Sequence, residues 1–97
     1  MKLFHFTASM WKYPGEKASW YFVSLPREVS DSIATLPRAK GWGSRKVMVR
    51  VGAHSWETAI FPDKRTGFLL PLKKEVRQII GAETGKDIDF ILTLIKP

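Results

Sequence analysis

Polar and apolar positions in the last third of the chain spell out two elements in succession. Residues 68–71 are an aromatic-led apolar run ending in Pro71, and Leu72, Val76, Ile79 and Ile80 then recur at the spacing of one helical face. Lys73, Lys74, Arg77 and Gln78 fall on the other face. Pro71 is expected just before the first helical turn, where a missing N–H costs nothing, and Gly81 is expected as the left-handed C-cap. The pattern is therefore strand, proline, helix, glycine.

The same pattern occurs 47 positions earlier. Within a 13-residue window Leu72, Glu75, Val76 and Ile80 superimpose on Leu25, Glu28, Val29 and Ile33, and Phe68, Leu69, Leu70 and Lys74 replace Tyr21, Phe22, Val23 and Arg27 conservatively. We read this as an internal duplication, with halves of about 17–51 and 65–95 inside a single domain spanning residues 1–97. Any two strand-to-helix junctions share some leucine, glutamate and valine, which is the competing explanation.

Around these two units the pattern predicts further strands. Residues 2–8 alternate weakly and read as a first strand, and 13–16 hold a Pro-Gly turn. Residues 17–25 form a second strand in which Trp20-Tyr-Phe-Val23 has no polar gap, so both of its faces are expected to be covered. A helix over 26–35 is stopped by Pro37. Val47, Val49 and Val51 alternate with Met48 and Arg50, predicting a strand with valine inward. Residues 55–61 and the run from Phe68 make a hairpin about the polar turn 62–67, and residues 88–95 form a closing strand. The class is mostly β with two short helices.

Composition narrows the setting. Ninety-seven residues suit one core, and the absence of cysteine excludes disulfides and thiolate zinc sites. No run approaches the ~20 apolar residues of a membrane span. A cytoplasmic protein without membrane association is the expectation. Sixteen Lys and Arg against nine Asp and Glu leave a net charge of +7, which favours polyanions as partners. A solvated basic surface competes with that reading.

Candidate chemistry is sparse. His5 and His54 are the only histidines and have no metal-ligand spacing, so no metal or cofactor is expected. No nucleophile triad, phosphate loop or Rossmann fingerprint can be assembled. His54 as a base near Glu57 or Asp63 is the one catalytic arrangement worth testing against a structure. Two basic places stand out instead. The loop before the third strand carries Arg38, Lys40, Arg45 and Lys46 around Trp42, a combination suited to stacking a base while cations follow the backbone. It is also about six residues longer than the matching junction after the second helix. Lys73, Lys74 and Arg77 begin the second helix, where free N–H groups and ammonium groups would converge on an anion. Trp11, Trp20 and Trp56, on strands, are expected in the core.

Four segments in this order, Trp20-Tyr-Phe-Val-Ser-Leu-Pro26, Lys46-Val-Met-Val-Arg-Val-Gly52, Trp56-Glu-Thr58 with Phe61-Pro62, and Phe68-Leu-Leu-Pro-Leu-Lys-Lys-Glu-Val-Arg77, resemble the bacterial family called domain of unknown function 1905. The late turn departs from the family's Gly-Asp, reading Gly85-Lys-Asp87 here. The resemblance implies a double-split β-barrel, the fold of AbrB- and MazE-like transcription factors, where two half-length chains interlock. With both strand–helix–strand units in one chain, a monomeric barrel is expected. The resemblance brings no activity. The reading is an anion-binding module, nucleic acid being one such ligand, with two alternatives: an accessory domain that meets a protein partner, and an enzyme acting on a small anionic substrate.

Overall fold

The computed structural model describes residues 2–15, 20–36 and 43–95. Its elements in chain order are β1 (Leu3–Lys12), β2 (Tyr21–Ser24), α1 (Arg27–Ala34), β3 (Arg45–Val51), β4 (His54–Asp63), β5 (Gly67–Pro71), α2 (Lys74–Ile80) and β6 (Asp87–Leu94). The strands close a barrel in the order β1-β2-β5-β4-β3-β6, every neighbour antiparallel. The mostly-β class with two helices is as expected.

The two long strands each serve two neighbours. β1 pairs with β6 over residues 3–9 and with β2 over 10–12, while β4 pairs with β3 over 54–60 and with β5 over 61–63. Exchanging β1 with β4, β2 with β5 and β3 with β6 leaves the set of neighbours unchanged. Two hydrogen bonds follow the same exchange. Leu25 donates its N–H to the Phe68 carbonyl at 3.1 Å, and Leu72 donates to the Tyr21 carbonyl at 2.9 Å.

Alternation along the strands fills the interior from one side. Phe6 and Met10 on β1, Val47 and Val49 on β3, Leu70 on β5 and Phe90 and Leu92 on β6 point inward and are buried. Phe6 and Phe90 are direct partners across β1 and β6, and their rings stack at 5.4 Å. Leu25 and Leu72, which follow β2 and β5, are buried in the same core, joined by Val29 and Ile33 of α1. Each such side chain contributes about 1.5–3 kcal/mol by leaving water.

Close approach explains one glycine. Ser30 of α1 is buried, its hydroxyl donates to the Thr66 carbonyl at 3.3 Å, and a Cβ on Gly67 would lie 2.4 Å from the Ser30 Cβ. Gly67 also holds φ +102, a conformation that L side chains rarely adopt. The helix therefore sits directly on a bare backbone.

Four expectations are corrected. Pro71 does not precede the first helical turn: it ends β5, opposite Phe22 and beyond the last pair with β4, where its missing N–H leaves no ladder bond unmade. α2 consequently starts at Lys74, with Lys73 as N-cap in extended conformation, and ends at Gly81 with φ +67. With Leu72 outside the helix the apolar stripe is broken, so Val76 packs against the core whereas Ile79 is 60% exposed and α2 buries no residue completely. Residues 20–23 are not covered on both faces: Val23 is buried inward, whereas Trp20 on the outer side is 58% exposed. β1 and β4 run further than expected, to Lys12 and Asp63, because each continues past its first partner onto a second.

Candidate functional site

Odd-numbered residues of β1 and even-numbered residues of β2 point away from the core, and the register lines them up. Trp11 lies opposite Phe22, which lies opposite Pro71. One step outward, Tyr13 donates its N–H to the Trp20 carbonyl at 2.7 Å, extending the β1/β2 ladder. The Leu72 bond to Tyr21 extends the β2/β5 ladder in the same way, and Lys73 keeps extended backbone. By alternation Lys73 then faces outward, level with Trp20. On the other side of the Trp11 row, Ser24, Leu69 and Phe61 form the next outward row.

The four rings touch. Trp11 lies 5.4 Å from Phe22 and 6.3 Å from Tyr13, Tyr13 meets Phe22 edge-on, and Trp20 stacks on Phe22 at 6.4 Å with planes only 8° apart. Trp11 is fixed further by its indole Nε1–H, which donates to Ser24 Oγ at 3.0 Å. Tyr13 and Trp20 remain about half exposed. The result is an aromatic platform on the outside of the barrel with a lysine at its edge.

The cations expected at the start of the second helix divide by role. Lys73 and Lys74 are exposed, and among the described residues neither has an ion-pair partner. Arg77 is already engaged: its guanidinium lies 4.0 Å over the Tyr21 ring and donates to the Leu72 carbonyl at 3.3 Å. Lys74, Arg77, Gln78, Gly81, Ala82 and Glu83 line a shallow, open depression beside α2. Across the following turn Glu83 pairs with Lys86 and raises its pKa.

The loop cations do not form a described cluster. Arg38, Lys40 and Trp42 lie outside the described residues. Arg45 is buried, and its guanidinium donates to the Leu36 carbonyl at 3.1 Å, just past the C-terminus of α1, where positive charge is favoured. Lys46 is exposed on the outer face of β3 opposite Ala59.

β4 keeps the three acid–base candidates apart. Alternation turns Glu57 to the side opposite His54, and Asp63 stands at the other end of the ten-residue strand. His54 stacks on Trp56 at 5.6 Å. Asp63 accepts from both the hydroxyl and the N–H of Thr66, at 2.9 and 3.1 Å; the hydroxyl bond above all holds its carboxyl below the usual value, against the opposing effect of desolvation. Among the described residues no group of three or more His, Cys, Asp or Glu is placed to hold a metal. No described helix is long and apolar enough to cross a membrane.

Apolar patterning does not reveal the platform, because it places tryptophans on strands in the core. Trp56 does pack against the core, but Trp20 does not. The available signal was parity: once Met10 is inward, Trp11 and Tyr13 must be outward.

No curated protein matches the chain. The family described as domain of unknown function (DUF1905) matches residues 6–92, nearly the whole barrel. Its reach from the middle of β1 to the inward Leu92 of β6 takes in both strand–helix units and all six strands, so this chain belongs to the domain of unknown function 1905 family.

Proposed function

We propose that this barrel is a non-catalytic binding module for an anionic ligand of the nucleic-acid class. The observation that carries the reading is Lys73, an exposed cation level with Trp20, followed by Lys74 in a chain of net charge +7. Lys74 opens the first turn of α2, where the macrodipole disfavours a cation by about 0.3–1 kcal/mol, and Lys73 precedes it as N-cap. The enzyme reading has less support, because His54 and Glu57 diverge on opposite sides of β4. Arg38, Lys40, Trp42 and Lys46 are proposed as further ligand-contacting residues.

We further propose that the fold is a double-split barrel of two duplicated strand–helix–strand units, able to act as a monomer. The shared long strands β1 and β4, and the matching bonds from Leu25 to Phe68 and from Leu72 to Tyr21, support it.

Titration of tryptophan fluorescence with duplex DNA, RNA and heparin at several salt concentrations tests the function. Binding whose log K falls linearly with log salt is expected, and Lys73→Ala with Lys74→Ala should weaken it and flatten the slope. A flat titration at low salt would sink the reading. The second reading, a protein-interaction face, is favoured by the adjoining outward row of Leu69 and Phe61, the latter 47% exposed. Association that ignores salt would support it instead.

A further inference from the structure

We propose that the outward aromatic platform of β1 and β2 stacks the unpaired bases of single-stranded nucleic acid, with Lys73 placed to meet a backbone phosphate. The inference rests on the polyanion reading and narrows it to one class of ligand.

Three features single out this platform. First, much of the Trp20 ring is left to solvent although it stacks on Phe22. The residue that the 47-position shift sets against Trp20 is Gly67, so the barrel's other half is built with no side chain at that place. Second, the platform is ordered before any ligand arrives. Trp11 is held by Ser24, Phe22 is wedged between Trp11, Tyr13 and Trp20, and the Tyr13 to Trp20 backbone bond fixes the two strands beneath. Rings that are already fixed lose little entropy on binding. Third, the rim is cationic: the β2/β5 register, carried on through the Leu72–Tyr21 bond, sets Lys73 opposite Trp20, and among the described residues no carboxylate pairs with it.

Those features select single strands over duplexes. In a duplex the bases stack on one another and offer only their edges, whereas an unpaired base offers a π-face to a tryptophan or tyrosine and its phosphate to a nearby ammonium group. Stacking of this kind tolerates any base, so the expected ligand is defined by strandedness and charge rather than by sequence.

The test uses the full chain and fluorescence anisotropy with a labelled 20-nucleotide oligo(dT) and a labelled 20-base-pair duplex at the same salt. Oligo(dT) should bind more tightly. Trp20→Ala should weaken oligo(dT) about tenfold while leaving duplex binding unchanged, and Trp20→Phe should restore most of the loss. Lys73→Gln should weaken both and reduce the salt slope by about one. Exposure of Trp20 makes these variants safe for folding, which far-UV circular dichroism verifies. If both nucleic acids bind and Trp20→Ala changes neither, the stacking inference is overturned and the polyanion reading stands. If neither binds at low salt, the polyanion reading fails and takes this inference with it.

Discussion

Val23 and Leu70 face each other directly across the β2/β5 pair, and both are wholly buried. They are also one of the pairs that a shift of 47 positions lays over one another. Leu70→Ala should cost about 2–5 kcal/mol. Val23→Ala removes fewer buried groups and should cost less. Because the side chains adjoin, the double variant should depart from additivity. Urea titrations read all three, with a lower midpoint and an unchanged slope for each.

Gly67 and Gly81 both hold positive φ, but only Gly67 has a neighbour in the way. Gly81→Ala should cost about 1 kcal/mol, the ordinary strain of a left-handed position. Gly67→Ala should cost more, since the methyl group must also displace Ser30 and with it α1. Thermal denaturation separates the two, at about 4–8 °C per kcal/mol for a domain of this size.

Asp63 contributes stability with a definite sign in pH. Its carboxyl is held below the ordinary value of 3.8 by the two bonds from Thr66. A depressed folded pKa means the contribution is complete above 3.8 and disappears as pH falls through the lower, folded value. The wild-type chain should therefore lose more stability than Asp63→Asn between about pH 4 and pH 2. Denaturant midpoints across that range provide the check. At neutral pH Asp63→Ala should cost about 1 kcal/mol.

Adjacent cations on β3 should behave oppositely. Arg45→Ala removes a buried, charge-assisted bond to the Leu36 carbonyl and should destabilise the fold by about 1.5–3 kcal/mol. Lys46→Ala, exposed, should stay within about 0.5 kcal/mol. Stability curves on the two single variants decide this, and Arg45 is accordingly a poor probe of ligand binding.

Arg77→Lys should loosen α2 without unfolding the barrel. It gives up the planar stack on Tyr21 and the bond to Leu72, worth about 1 kcal/mol together. Hydrogen exchange of the α2 amides should accelerate while β6 amides stay protected.

Local chemistry was enough to read much of this architecture. The valine alternation over residues 47–51 and the left-handed stop at Gly81 each needed only neighbours in sequence, and both stand in the fold. Pro71 was misread because a proline suits both a first helical turn and the free side of a strand, and only the register shows that β4 has already turned away from it. Trp20 was misread because an apolar run looks the same whether a layer covers its outer side or nothing does. For the candidate site, Lys73 and Lys74 could be found from spacing, but their position relative to Trp20 depends on which strands adjoin. The burial of Arg45 depends in turn on where α1 ends.

The contact of Ser30 with Gly67 also bears on how this chain could be divided. Two copies of the first half, pairing as the two halves do here, would bring Trp20 to the place that Gly67 holds beneath α1. There is no room for a side chain there, let alone an indole. Two copies of the second half would set Arg77 over Gly67, a long side chain over a bare backbone, and forfeit the Ser30 seat. Each half thus fits the other rather than a copy of itself, so two copies of one half should not rebuild the barrel, whereas unlike halves supplied as fragments can restore the Ser30 seat.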